Sequence, residues 1–334
     1  MKRRKFFKTS LVGTSSALFF CKATQGERQI LEKTGLLEGA DKSRVVIANR
    51  ADVRDSNGAI SETSVQKALD AAVEHLFNVR AEVVWSSLFS PAERVGLKVN
   101  CLAGKNLSTN HQLVWAVVER LLQAGVKKNN IIIWDRRDRD LQRAGYKIAR
   151  SPNQVQCFGN DSAGFTSQVF EYNTSGSQLS NTIHSLCSAV INLPVMKDHG
   201  IVGVSGSMKN FFGAINNPHK YHMDIGDPYV ADVNMLPSIR DKHRLTICDA
   251  LTAQYEGGPP WMPDWAWNMN SIIAATDRVA IDQIMWDIIE QKRAENGLDT
   301  LEAAGRKPTY IATAADEQHR LGTNDRTKIE LIKV

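Results

Sequence analysis

The sequence predicts an α/β fold in which a mostly parallel sheet, or sheets, is flanked by helices, arranged in one or two lobes. Three observations carry that expectation. Short, continuously apolar runs such as Ile131-Ile132-Ile133-Trp134 have the character of strands buried on both faces. These runs alternate with segments of helical periodicity, the order that places crossover helices on a parallel sheet. The composition is ordinary and globular, 43% hydrophobic and 23% charged with 22 Gly and 10 Pro, which argues against disorder, collagen or a solenoid of obvious repeats. At roughly 150 residues per domain, a chain of 334 residues accommodates one large domain or two modest ones.

The elements follow in order. Arg44-Val45-Val46-Ile47-Ala48-Asn49 is the first strand. From Glu62 to Phe77, Val65, Leu69, Ala72 and Leu76 recur on one helical face. Arg94 to Asn100 is the next strand. Thr109 or Asn110 then caps a helix lined by Leu113, Val117 and Leu121, and Gly125 stands where a left-handed stop belongs. Asn130 to Asp135 completes a strand–helix–strand unit. Further strands are expected at Ala189–Leu193, Arg244–Cys248, Ser271–Ala275 and Ile329–Lys333, with a helix from Asp277, its N-cap, to about Arg293. Charged Arg136–Arg143 and Gly/Ser-rich Gly159–Ser180 are expected as surface excursions, and a junction between two α/β lobes is expected at about 150–180.

The first 26 residues carry Lys2, Arg3, Arg4, Lys5, Lys8 and Lys22 and no acid, against a whole-chain charge of +5; removing these six cations leaves 5 − 6 = −1. A near-neutral remainder lacks the electrostatic footprint of phosphate-backbone binding, so nucleic acid is not an expected partner. The leader itself, 1–28, reads as an export signal: a basic start, then a mildly apolar Leu11–Phe20 stretch far shorter than the roughly 20 residues of a spanning helix. Arg3-Arg4 followed by Phe6-Phe7-Lys8 resembles the twin-arginine signal. That resemblance implies transport of a folded, often cofactor-loaded protein by the twin-arginine machinery. The expected destination is the periplasm, and an uncleaved membrane anchor stays open because Cys21-Lys22-Ala23 is a poor cleavage site. Cys21, Cys101, Cys157, Cys187 and Cys248 contain no C-x-x-C pair, so no iron–sulfur cluster is expected.

In open α/β sheets ligands bind beyond the carboxyl ends of the strands. Those ends here carry Lys98, Asn100, Asp135, Lys197, His199, Asp249 and Asp277, a cleft of both signs of charge. The densest stretch, Asn192 to Asp227, contains Gly200, Gly203, Gly206, Ser205, Ser207 and Lys209, either an anion cradle or a glycine-rich turn. P-loop, dinucleotide and G-x-S-x-G spacings are all absent from it. His199, His222 and Asp224, with Asp249, have the donor types of a divalent metal site; ordinary loop histidines are the competing reading. The loop from Glu256 to Trp267, with Trp261, Trp265 and Trp267, is a lid, a docking patch or a local staple.

Taken together, Lys98-Val99-Asn100, Leu193-Pro194 with Lys197-x-His199, Ser207-x-Lys209-Asn210-x-x-Gly213, Lys220-Tyr221-His222, Asp249-Ala250, Glu256-Gly257-Gly258-Pro259 and Val279-Ala280-Ile281-Asp282 resemble an uncharacterised prokaryotic family, domain of unknown function 362. The resemblance runs from about Val45 to the last strand, so residues 40–325 are expected to form one family domain. It implies that Lys98, Lys197, His199, Lys209, Asn210, His222, Asp249, Glu256 and Asp282 share a site or scaffold, and it confers no reaction. Some relatives carry ferredoxin-type clusters on added cysteines, which this chain lacks.

These readings make an exported enzyme the first expectation, with redox or metal-assisted chemistry on an anionic small molecule. Lys98, Asn100, Lys197, Ser207, Asn210 and Glu256 would contact the ligand. His199, Lys209 and His222 would carry the chemistry, and His199, His222, Asp224 and Asp249 would hold any metal. The alternative is a non-catalytic accessory protein that carries a cofactor to, or docks on, a periplasmic redox partner. A hydrolytic variant requires Ser207 to meet His199 or Lys209.

Overall fold

The computed structural model describes residues 42–334, and the leader at 1–28 lies outside them. In chain order the elements are β1 (Ser43–Asn49), α1 (Glu62–Phe77), α2 (Ala81–Leu88), β2 (Val95–Val99), α3 (His111–Gln123), β3 (Ile131–Asp135), α4 (Asp138–Arg143), β4 (Gln156–Gly159) and α5 (Asn160–Ala163). There follow β5 (Phe170–Tyr172), β6 (Ser175–Ser177), β7 (Ala189–Leu193), β8 (Val195–His199), β9 (Gly203–Val204), α6 (Ser207–Asn210), α7 (Tyr229–Met235) and α8 (Pro237–Lys242). β10 (His243–Gln254), β11 (Ala266–Trp267), β12 (Ser271–Ala275), α9 (Arg278–Glu295), α10 (Tyr310–Ala315) and β13 (Ile329–Lys333) complete the chain.

The main sheet has the order β13-β1-β12-β10-β7-β2-β3-β4. Along it β12 alone is reversed: it is antiparallel to both β1 and β10, while β10, β7, β2, β3 and β4 pair in parallel. The fold is therefore α/β with a mostly parallel sheet. β2, α3 and β3 form the expected parallel crossover unit, with Val95 opposite Ile131. Gly125 after α3 has φ +89° and Asp277 caps α9 through the amides of Val279 and Ala280, both as the sequence signals.

Alternate residues of a strand face opposite sides of a sheet. Val45, Ile47, Ile273 and Ala275 pack with Ala280, Ile281, Ile284 and Met285 of α9. That leaves Val46, Ala48, Ile272 and Ala274 for the face covered by α1, which also packs on α2 and α3. A second core, around Trp134, Phe158, Phe211, Tyr221 and Tyr310, is built largely by the segment that follows β9. No helix among the described residues is long and apolar enough to cross a membrane.

Two stretches expected on the surface are partly interior. Asp138–Arg143 is a helix that buries Asp140 and Leu141. Within Gly159–Ser180, Asn160, Ser175, Ser177, Leu179 and Ser180 are buried, because β5 and β6 pair with each other and pack on α7. The expected strand at Arg244–Cys248 runs on to Gln254, since its second half finds a separate partner in β8.

That partner change opens the sheet. β7 pairs with β10 on one side and β2 on the other, but Pro194 has no amide to continue the ladder. Beyond it β8 pairs with β10 and β9 and leaves β2 behind. The ends of β2 and β8 thus border a split, and α6 closes it from one side.

α6 is held from below by a carboxylate. Asp282 accepts the backbone amides of Ser207 and, at 3.1 Å, Met208, and it is fully buried. A Cβ on Gly206 would sit 2.1 Å from Asp282 Oδ1, so this glycine makes room for the capping carboxylate. Burial pushes the Asp282 carboxyl up to about 7 against the pull of the two amides. An acid raised in the folded state favours folding below its unfolded value near 4, and that advantage is lost as pH rises toward 7. Chemical-denaturation stability of the native chain relative to Asp282→Asn is therefore expected to fall between pH 4 and 7, by up to about 1.4 kcal/mol per pH unit, and to level off above. A difference that stays constant over this range contradicts the assignment.

Candidate functional site

The site lies where β2, β3, β8 and α6 meet. Strand alternation on β8 sends Lys197 and His199 to one side and Asp198 to the other. Lys98, at the end of β2, is buried and donates to Asp135 Oδ1 at 2.8 Å, to the Val99 carbonyl at 2.6 Å and to Asn210 Oδ1 at 3.1 Å. Asp135 also accepts the amides of Cys101 and Arg136, so both of its oxygens are engaged. Gly213 gives this pair its space: a Cβ there would lie 2.7 Å from Lys98 Cε.

Asn210 links that pair to the rest. Its oxygen accepts from Lys98 and from Asn100 Nδ2, and its amide donates to Asn192 Oδ1 at 2.7 Å and to the Lys98 carbonyl at 3.3 Å. Asn100 Oδ1, across the split, accepts from Lys197 Nζ at 3.0 Å. The second acceptor of Lys197 is the Pro259 carbonyl at 3.4 Å. Lys197 is 0% exposed, and its two acceptors are neutral. Desolvation outweighs the more distant carboxylates and pushes its ammonium down to about 8.

Lys209 is the second cation of this kind. It retains 9% exposure, sits 3.8 Å over the Phe212 ring centroid, and its Nζ lies 3.1 Å from His222 Nε2. Burial, then the charges of Arg136, Lys197 and Lys98, push it down to about 7. His222 Nδ1 donates to the Pro218 carbonyl at 3.0 Å, which fixes the tautomer with Nε2 as acceptor toward Lys209. Burial and Lys209 push His222 down to about 4, so it is neutral at physiological pH. The His199 ring stacks 5.5 Å from that of His222, and its Nδ1 accepts the Ile201 amide at 3.1 Å. Burial and the same lysines hold His199 well below its ordinary value.

The other expected site residues have different neighbours. Ser207 is fully buried, and its hydroxyl meets Thr246 and Asn192; Thr246 in turn meets His243. Neither base that a hydrolytic reading requires is there. Asp249 accepts from the backbone and side chain of Asn110, at the start of α3, and from the Leu251 amide. Asp224 is exposed. Among the described residues no three His, Cys, Asp or Glu side chains converge as a metal-ligand set.

Glu256 belongs to a buried ion-pair network behind the site. It accepts from Arg293 and Arg306, and Arg306 also donates to Asp198 Oδ2 at 2.7 Å. Asp198 Oδ1 accepts the Gly258 amide at 2.8 Å, and the Gly258 carbonyl accepts from Gly200. Burial alone would raise Glu256, but the two arginines hold it below the usual carboxylate range. This network fixes Gly257–Pro259, and with it the carbonyl that Lys197 uses. The glycines read as a cradle serve the protein's own atoms: a Cβ on Gly200 would approach the Gly258 carbonyl to 2.9 Å, and one on Gly203 the Arg306 carbonyl to 2.3 Å. Trp261, Trp265 and Trp267 are all half-buried, with Trp267 on β11 paired to Ala253 of β10.

Sequence reasoning missed Asp198, Arg293, Arg306, Asn192 and Phe212. Asp198 had a signal, since it alternates with two expected site residues on one strand. Arg293 and Arg306 had none, being distant in sequence and ordinary in type.

Fold and site define an α/β protein with a buried cationic centre at a split in its sheet. The chain belongs to the family described as Domain of unknown function (DUF362), whose sequence profile matches residues 95–287. That match is narrower than the similarity read from the sequence, which starts at about Val45. No curated protein matches the chain significantly. A structural-genomics crystal structure of a Thermotoga maritima protein is similar at 10% identity and a TM-score of 0.40, over 72% of this chain and 60% of that one.

Removing Arg306 strands a fully buried Asp198 without its cation. Arg306→Ala is expected to lower the unfolding free energy by about 3–5 kcal/mol in urea denaturation. A loss below about 1 kcal/mol would mean that the network adds no more than a surface pair does.

Proposed function

We propose that the chain binds an anionic small molecule at the split between β2 and β8, with Lys197 as the charge that holds it and Lys209 beside it. The observation that supports this reading is that both ammonium groups are buried against neutral partners, with no carboxylate of the described residues at ion-pair distance. Burying an unpaired charge costs several kcal/mol. An anion beside Lys197 offsets that cost, and the depressed value of Lys197 rises as it binds. Lys98 is already neutralised by Asp135 and serves to position Asn210 and Asn100.

The donor set favours an anion over a divalent metal. The groups that converge are cations and neutral histidines whose Nδ1 atoms are engaged by backbone. His222, neutral and in contact with Lys209, is suited to accept a proton, so the reading extends to an enzyme acting on the bound anion. Export by the twin-arginine route is part of the same proposal and is supported by Arg3-Arg4 followed by Phe6-Phe7-Lys8 and by the short apolar Leu11–Phe20 stretch.

The test is thermal unfolding of the full chain with phosphate, sulfate and pyruvate as probes. At least one anion is expected to raise the melting temperature in proportion to its binding, and Lys197→Met to abolish the rise. Exposed Lys105→Met is expected to preserve it. Since Lys197 must be charged, affinity is expected to weaken up to about tenfold per pH unit above pH 8. No shift with any anion at pH 6.5, or an equal shift in Lys197→Met, overturns the proposal.

A further inference from the structure

Resting on that anion site, we propose that Lys209 is a Schiff-base-forming lysine and that the substrates are small anionic aldehydes or ketones, their acid group held by Lys197 and their carbonyl carbon attacked by Lys209 Nζ. Amine attack requires a lysine that is desolvated, flanked by another cation and adjacent to a base. Lys209 has all three. It is buried on the Phe212 ring, the charges of Arg136, Lys197 and Lys98 disfavour its proton, and His222 Nε2 stands 3.1 Å from Nζ.

The two lysines divide the labour. With Lys209 lowered further than Lys197, neutral pH leaves Lys197 largely charged for binding while a substantial share of Lys209 is free amine. The hydrogen bond from His222 Nδ1 to Pro218 keeps the Nε2 lone pair directed at Lys209. The histidine can therefore take a proton from the attacking nitrogen and return it to oxygen.

The step balances without an outside reagent. The Nζ lone pair forms the C–N bond while the carbonyl π pair moves to oxygen. His222 carries one proton from nitrogen to that oxygen, giving a neutral carbinolamine. A second proton, drawn from solvent, releases the oxygen as water and leaves a protonated C=N bond to Lys209. No oxidation change occurs.

The probe is glyoxylate, the smallest anionic aldehyde, with cyanoborohydride to trap the imine and peptide mapping to locate the carboxymethyl group. On the intact chain, Lys209 is expected to be labelled at least tenfold faster than exposed Lys105 and Lys220. Its rate should rise through about pH 7 and then level off, and phosphate should protect it. His222→Gln is expected to slow the labelling of Lys209 at least tenfold while exposed Lys105 and Lys220 keep their rates. Lys209 labelled no faster than Lys105 or Lys220, while glyoxylate still raises the melting temperature, overturns the Schiff-base role and leaves the anion site standing. If neither glyoxylate nor phosphate binds, the anion reading falls with it.

Discussion

The structure turns on one ammonium group. Lys197 Nζ is withdrawn from water and faced by the Asn100 amide oxygen and the Pro259 carbonyl, and neither carries the charge that would balance it. Dipoles soften the cost of burial but do not cancel it, which is why the group loses its proton so much more readily than an exposed lysine. A fold does not retain such a group for stability, since an apolar side chain of the same volume would serve better there.

Much of the surrounding architecture holds that group and its neighbours still. Pro194 ends the ladder between β7 and β2, so β8 departs and the split exists at all. On β8, consecutive residues have opposite fates. Lys197 is left without a counter-charge, while Asp198 is tied to Arg306 and through it to Glu256 and Arg293. That network fixes the loop whose Pro259 carbonyl faces Lys197. On the other side Asp282 caps α6 and sets the direction in which Lys209 and Asn210 enter. Asp198 and Asp282 thus position the frame from outside the site, and neither pairs with the lysines inside it.

Local signals made the fold largely legible in the sequence. The strand at Ile131–Asp135, the caps Asp277 and Gly125 and the crossover through α3 all depend on short-range periodicity and turn chemistry. The reversal of β12 and the second half of β10 were not legible, because they are set by which strand each edge meets rather than by composition. Within the site, residue types at strand ends pointed to Lys98, Asn100, Lys197 and His199, and the glycine-rich stretch and the family resemblance to Lys209 and His222, which the structure brings close together. The same reasoning gave the glycines a ligand to cradle, whereas Gly206 and Gly203 accommodate Asp282 and the Arg306 backbone. A glycine signals a close approach, and its sequence does not say of what. Arg293 and Arg306 stayed invisible for a related reason, since a long-range ion pair leaves no mark on local pattern.

The central claim is that two buried lysines lack a counter-ion and so lose their protons far more readily than exposed ones, and side-chain titration tests it directly. With lysine labelled with carbon-13 at Cε, NMR spectra over pH 5 to 11 follow each ammonium, and Lys197→Arg and Lys209→Arg identify the two signals. The account predicts two lysines titrating near 8 and near 7, well below the exposed ones, and Lys197 moving upward when a binding anion is added. All lysines titrating together near the ordinary value of about 10.4, with or without anion, would contradict it.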